Sequence, residues 1–247
     1  MSSKKSGPHT AMVLAAGLGT RMRPLTDDKP KPLIPVAGKA LMDYALDRFA
    51  AAGVTRAVVN VHYLADQVEA HVATRSAPEI VISDERGLLL ETGGGLKKAR
   101  GQFGDAPVFC TNTDAIMIDG EDEEACAALS QCWDDATMDA LLLLVPLERT
   151  SGYDGRGDFE RSDNGQIALR SGETAPYVFT GLQIIAPSLI DEGPDGPFST
   201  RVLWDKAAAQ GRLFGAVYGG DWLHVGDPQG LEDAEARLSN AALPGRS

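Results

Sequence analysis

The residues with the most chemical potential lie near the start of the chain. Leu14-Ala15-Ala16-Gly17-Leu18-Gly19-Thr20-Arg21-Met22-Arg23-Pro24 runs on to Lys29-Pro30-Lys31-Pro32-Leu33. Glycines at 17 and 19 let backbone N–H groups approach an anion with no side chain intervening. Arg21 offers a planar fork for phosphate oxygens and Lys31 a point charge. Prolines at 24, 30, 32 and 35 stiffen what is expected to be an exposed loop holding those cations. The chemistry this set suits is phosphate binding. Two common phosphate motifs are excluded. No Gly-Lys-Ser/Thr stands at Walker spacing, and Met22 replaces the third glycine of a dinucleotide fingerprint.

The charge balance sharpens that reading. The 247 residues carry 23 Lys+Arg against 35 Asp+Glu, a net charge of −12, which opposes a non-specific nucleic-acid binder. The first 40 residues nevertheless hold seven basic side chains and two acidic ones, so they are at +5 and the remainder at −17. Arg21, Arg23, Lys29 and Lys31 concentrate that charge in the one loop expected to meet phosphates. Three irregularly spaced cysteines (Cys110, Cys126, Cys132) form neither a disulfide framework nor a zinc site, and no His pair has zinc spacing. They fit a reducing compartment. No apolar stretch reaches the ~18 residues of a membrane helix, and the polar start Met1–His9 lacks a signal-peptide core. A cytoplasmic protein without a membrane partner is expected.

The elements that position the loop are legible as strand–helix alternation. Ala11–Ala15 reads as a buried parallel strand, and the loop sits at its carboxyl end, where open α/β sheets bind ligands. A helix through Leu41, Tyr44, Ala45 and Phe49 stops at Gly53, a strand covers 57–61, and a second helix runs through Leu64, Val68 and Val72. Strands at 80–82, 107–111 and 140–145, with a helix across 122–133, complete a first half of β-α-β units. After Pro146 the pattern changes to a hairpin turning at Asn164-Gly165 and a long strand over 177–185. A helix through Val202, Trp204 and Ala207, strands at 213–218 and 222–225, and a last helix opened by Asp227-Pro228 follow. The fold expected is α/β, a Rossmann-like three-layer α/β/α sandwich with a mostly parallel central sheet and an inserted smaller antiparallel element.

These residues resemble a family. The Leu-Ala-Ala-Gly-x-Gly-Thr-Arg-Met run followed by Pro30-Lys31-Pro32-Leu33 is similar to the N-terminal pattern of sugar-1-phosphate nucleotidyltransferases. Glu91-Thr92-Gly93-Gly94-Gly95 and Gly155-Arg156-Gly157-Asp158-Phe159 draw the resemblance toward the N-acetylmuramate-1-phosphate uridylyltransferases of cell-wall recycling; mannose-1-phosphate guanylyltransferase-like proteins are the alternative. The resemblance covers residues 11–240. The polar start is expected to be a flexible leader over 1–10, and with no composition break a single domain is expected over 11–240, its nucleotide part at about 11–146 and its sugar part at about 147–226. A flexible tail is expected over 241–247. The resemblance implies an enzyme that joins a nucleoside triphosphate to a sugar 1-phosphate and releases pyrophosphate, as a monomer or small homo-oligomer. A non-catalytic nucleotide- or sugar-phosphate-binding protein on the same fold is the reading of another class.

By that resemblance Arg21 and Lys31 are the catalytic cations. Leu14, Ala15, Ala16, Gly17, Gly19 and Thr20 lie against the nucleotide, and Gly93 and Gly94 bring backbone groups to the base. Asn60 either faces the nucleotide or caps the turn after its strand. The sugar phosphate falls to Asn112, Gly157, Asp158, Thr180 and Gly181, although turn and strand-packing roles explain Asp158 and Thr180 equally well. Asp114 is the expected magnesium ligand. Where the family has Trp-x-Asp-x-Gly this chain has Trp222-Leu223-His224-Val225-Gly226, so His224 stands at the second metal position. Imidazole suits softer ions than magnesium. His224 therefore ligates an ion such as manganese, contacts phosphate, or leaves the metal to Asp114 and the phosphates; Asp227 either compensates or caps the last helix.

Overall fold

The computed structural model describes residues 7–120 and 124–241. The first six residues of the expected leader, the tail from 242, and residues 122 and 123 of the helix expected at 122–133 lie outside the described residues.

The apolar run at the start forms β1 (Thr10–Leu14). The loop after it includes two short 3-10 turns, Thr20–Met22 and Lys31–Leu33, then a small ribbon of β2 (Pro35–Val36) and β3 (Lys39–Ala40). There follow α1 (Leu41–Ala51), β4 (Arg56–Val61), α2 (Ala65–Val72), β5 (Glu79–Asp84), α3 (Glu91–Ala99) and β6 (Val108–Asn112). Next come β7 (Ala115–Ile118), α4 (Ala125–Cys132), β8 (Ala140–Pro146), β9 (Thr150–Ser151), β10 (Phe159–Arg161) and β11 (Ile167–Leu169). The chain closes with β12 (Tyr177–Ile185), α5 (Pro187–Asp191), α6 (Arg201–Ala209), β13 (Leu213–Val217), β14 (Asp221–His224) and α7 (Pro228–Ala241).

The central sheet runs β11-β10-β12-β6-β1-β4-β5, with β8 against β12 and β13 against β8. Strands β6, β1, β4 and β5 are all parallel. Alternation along β1 and β4 divides the core into two layers. Val13 and Val59 pack with Leu46, Phe49 and Val68 from α1 and α2, whereas Met12 and Val58 pack on the other face with Leu96 of α3 and Leu203 of α6. Helices on both faces make the fold a three-layer α/β/α sandwich.

A second sheet, β7-β14-β9, includes two short strands, β7 and β9, that the sequence pattern does not predict. Its residues Ile116 and Leu223, with Val225 just beyond β14, join Met22, Ile34, Val36 and Leu41 in a separate core beneath the phosphate loop, closed by Ala234 of α7. Met22, which breaks the dinucleotide fingerprint, is fully buried there. Burying a side chain of that size contributes about 2 kcal/mol, so the loop is fixed from below by packing as well as by proline. At the leading edge, His9 is already tied in: its carbonyl accepts the Thr55 N–H at 2.9 Å.

Candidate active site

A cleft of about 450 Å³ opens at the carboxyl ends of β1, β4 and β6. One wall is the phosphate loop, with Leu14, Ala16, Gly17, Gly19, Thr20 and Arg21. The facing wall is Leu89, Glu91 and Thr92, and the floor is Asn112, Thr113 and Asp114 with Gly226 at the edge. A Cβ on Gly17 would meet nothing within 4 Å, so this glycine leaves room at the cleft where ligand atoms approach the backbone. Gly19 is different: its φ of +63° is a left-handed turn, and the Thr26 hydroxyl donates to its carbonyl at 2.8 Å. Arg23 and Lys29, expected among the phosphate cations, do not join them: both are exposed and outside the cleft lining, and Arg23 pairs with Asp27 at 3.4 Å.

Lys31 is less open than expected. Its side chain is only 12% exposed, and its Nζ lies 3.2 Å from Asp114 Oδ2. Burial alone would push the Asp114 carboxyl up; the charges of Lys31, His224 and Arg21, with the Lys31 hydrogen bond, outweigh it and hold Asp114 below the usual carboxylate range. An ammonium has three donors, so Lys31 can keep Asp114 and still offer protons to phosphate.

His224 is not part of the cleft lining; the second sheet sets it beside Asp114, behind the floor. It stands opposite Ala115 where β14 pairs antiparallel with β7, and the Val225 N–H donates to the Asp114 carbonyl at 2.8 Å. Its ring stacks on Trp222 with centroids 5.3 Å apart, and a Cβ on Gly226 would fall 2.3 Å from Nε2. Burial pushes its pKa down, Lys31 and Arg21 add to that, and Asp114 and Asp227 oppose it. A neutral ring is the form that can ligate a cation. Nδ1 is buried with no hydrogen-bond partner among the described residues. Asp227 is settled as an N-cap, because its Oδ1 accepts the Gly230 N–H at 2.9 Å.

Among the described residues no three His, Cys, Asp or Glu side chains converge to hold a divalent cation. A carboxylate completed by phosphate oxygens and water is nevertheless how magnesium is commonly held, and Asp114 on the cleft floor is a carboxylate that could hold an ion in this way. His224, whose Nδ1 has no hydrogen-bond partner among the described residues, is the other potential donor near Asp114.

Several expected contacts are redirected. Ala15 is buried, and its N–H donates to Asn60 Oδ1 at 2.7 Å instead of facing a ligand. Asn60 borders the cleft, but its Nδ2 donates to Glu85 at 2.8 Å, so both of its polar groups serve the protein. Gly93 and Gly94 lie inside α3, and both N–H groups donate to the Phe198 carbonyl, at 2.8 and 3.1 Å. A Cβ on Gly93 would fall 2.4 Å from the Phe198 ring, so these glycines admit close packing and do not reach the cleft. Their immediate neighbours Glu91 and Thr92 line it instead, so the run meets the cleft through its leading residues and not through its glycines. Leu89 and Thr113 also line the cleft, and nothing in their residue types marks them.

The sugar-side candidates divide. Asn112 lines the cleft, and Gly181, at φ +91°, stands behind it, its would-be Cβ 3.2 Å from Asn112 Cβ. Gly157, Asp158 and Thr180 are not at the cleft. A Cβ on Gly157 would fall 1.9 Å from the Ala175 carbonyl oxygen. Asp158 accepts from Tyr153 Oη and from the Phe179 N–H, each at 3.0 Å. The buried Thr180 hydroxyl donates to the Leu143 carbonyl at 3.0 Å and accepts the Leu182 N–H at 3.3 Å, clipping the irregularity at which β12 shifts register on β8. For these three the turn and strand roles hold.

A model of the nucleotidyl transferase family matches residues 10–167, which include the phosphate loop and Asp114. A protein of Caulobacter vibrioides named N-acetylmuramate alpha-1-phosphate uridylyltransferase is 51% identical over 239 residues, covering 95% of this chain and 98% of its own. The chain belongs to the nucleotidyl transferase family. A namesake from Neisseria meningitidis is 32% identical over 92% of this chain and 96% of its own. Among solved structures, the inositol-1-phosphate CTP transferase from T. maritima shares the fold with a TM-score of 0.77 over 98% of both chains, at 17% identity. The matched segment ends before β14, so the His224 side of this nucleotidyl transferase floor is added by chain beyond it.

Proposed function

We propose that this chain transfers a uridylyl group from UTP to N-acetylmuramate 1-phosphate, giving the UDP-sugar and pyrophosphate. The observation that carries the reading is the Lys31–Asp114 pair at 3.2 Å on the floor of a cleft whose wall presents Gly17 and Arg21. The substrate pair is supported by the two relatives of that name, which align over nearly their whole length.

A phosphate oxygen of the sugar 1-phosphate attacks the α-phosphorus of UTP, and the bond from that phosphorus to the bridging α–β oxygen breaks. Pyrophosphate leaves with the electron pair. The nucleophile is already anionic, so no group is needed to remove a proton. What remains is to bring two anions together in line, which is a task of positioning and charge neutralisation. Arg21, exposed at the loop, holds the end of the triphosphate that departs. Lys31, anchored by Asp114, supplies positive charge between the reacting phosphates. A divalent cation held by Asp114, with His224 beside it, would add Lewis-acid neutralisation of phosphate charge. No helix among the described residues is long and apolar enough to cross a membrane. UTP as substrate supports a cytoplasmic site of action.

Pyrophosphate release tests the reading. UTP, GTP, CTP and dTTP are each paired with N-acetylmuramate, N-acetylglucosamine, mannose and glucose 1-phosphates, with magnesium and with manganese. UTP with N-acetylmuramate 1-phosphate is expected to give the highest kcat/KM. A preference for GTP with mannose 1-phosphate reassigns the substrates, and nucleotide binding without turnover on any pair overturns catalysis.

A further inference from the structure

Behind the cleft lies a carboxylate that the chemistry above does not use. Glu85, just after β5, is 1% exposed, and among the described residues no cation pairs with it. Its Oε1 accepts from Asn60 Nδ2 at 2.8 Å and its Oε2 from the Leu90 N–H at 3.2 Å. The backbone is held as well: the Glu85 N–H donates to the Val61 carbonyl at 2.8 Å, and its own carbonyl lies 2.7 Å from His62 Nδ1. Asn60 passes the connection on through Oδ1 to the Ala15 N–H at 2.7 Å.

One buried carboxylate therefore ties the backbone behind the phosphate loop to the backbone of the facing wall. Leu90 is gripped from its other side too, its carbonyl accepting the Phe198 N–H at 3.1 Å. The next residue, Glu91, is held at φ +60°, a conformation that side chains disfavour, and with Thr92 it lines the cleft. Gly95 makes room for the link: a Cβ there would lie 2.9 Å from both Asn60 Nδ2 and Glu85 Oε1. Burying an unpaired carboxylate is costly, and an apolar side chain could fill the space at less cost. What the carboxylate adds is two acceptors at fixed positions.

We propose that Glu85 is a positioning residue for nucleotide binding, setting through Asn60 and Leu90 the separation between the phosphate loop and the wall at 89–92. The proposal rests on the reading of this cleft as a nucleotide site.

The test reverses the polarity of the link. In Glu85→Gln an amide NH₂ replaces one acceptor, so Asn60 Nδ2 or the Leu90 N–H faces another donor. KM and Kd for UTP are expected to rise about tenfold, the scale of one buried hydrogen bond lost, with kcat and the sugar-phosphate KM within about twofold. Asn60→Asp sets two carboxylates against each other and is expected to act likewise. The double variant Asn60→Asp/Glu85→Gln restores every bond. The carboxylate now at position 60 accepts from the Ala15 N–H and from the amide now at position 85, and the oxygen of that amide accepts from the Leu90 N–H. The double variant is expected to recover UTP binding to within about twofold. Gly95→Ala, which presses a methyl on the same two atoms, supplies a further variant if a single carboxylate change does not fold, with the same rise in KM expected. Singles that lose thermal stability while keeping wild-type UTP constants overturn the proposal, as does a double variant that is not rescued. A wild-type chain that neither binds nor turns over UTP overturns the nucleotide reading itself, and is told apart by failing before any substitution is made.

Discussion

Lys31 has two tasks that substitution can separate. Lys31→Met removes positive charge from the reacting phosphates and is expected to lower kcat about 10²–10³-fold, the scale of losing one electrostatic contact to a transition state. It also leaves Asp114 on the floor without its 3.2 Å partner, so the melting temperature falls as well. Lys31→Arg keeps a cation for Asp114 but spreads it over a bulkier group in a site where the lysine is only 12% exposed. Thermal melts beside steady-state kinetics are expected to show stability largely restored and turnover still depressed. His224 is tested by its metal preference. In His224→Asp, calorimetric titration with UTP present is expected to show magnesium affinity gaining on manganese, because an oxygen donor replaces imidazole. An unchanged ratio would make the ring a packing partner of Trp222.

At the scale of elements, the sequence was most readable where period and punctuation agree. The alternation in β1 and β4, the stop of α1 at Gly53 with φ +82° and the Asp227-Pro228 start of α7 are all present. It was least readable where a polar side chain has two equivalent uses. Asn60, Asp158 and Thr180 can each bond a ligand or a nearby backbone group, and composition does not distinguish them; only the partner found 21 to 45 residues away does. The site divides on the same line. Gly17, Arg21, Lys31 and Asp114 were legible because glycine and charge at a strand end have few other uses, whereas Leu89 and Thr113 carry no such mark. Asp158→Ala is a prediction at this scale. It removes acceptors for Tyr153 and the Phe179 N–H, so denaturant unfolding is expected to show a loss of about 1–3 kcal/mol, with KM for the sugar phosphate unchanged.

Across the whole molecule, the two core layers bury Cys110 and Cys126, whereas Cys132 is exposed at the end of α4. Burial pushes the Cys110 and Cys126 thiols up to about 12, far above the pH of ordinary alkylation. Mass spectrometry of the native protein after brief treatment with iodoacetamide at about pH 8, near the ordinary thiol pKa, is expected to find Cys132 alone modified, and all three after unfolding. The local charge follows the same architecture: the basic excess of the first 40 residues narrows to Arg21 and Lys31 at the cleft, because Arg23, Lys29 and Lys39 lie outside its lining.

The sheet β7-β14-β9 draws its strands from widely separated parts of the chain, and β14 contributes the residue opposite Ala115. On a translating ribosome, the first strand and the phosphate loop emerge before Asp114. The partner strand that carries His224, and Gly226 at the cleft edge, come out more than a hundred residues later. A nascent chain that stops short of β14 thus holds its cations and Asp114 without the strand that carries His224 or the Gly226 edge of the cleft.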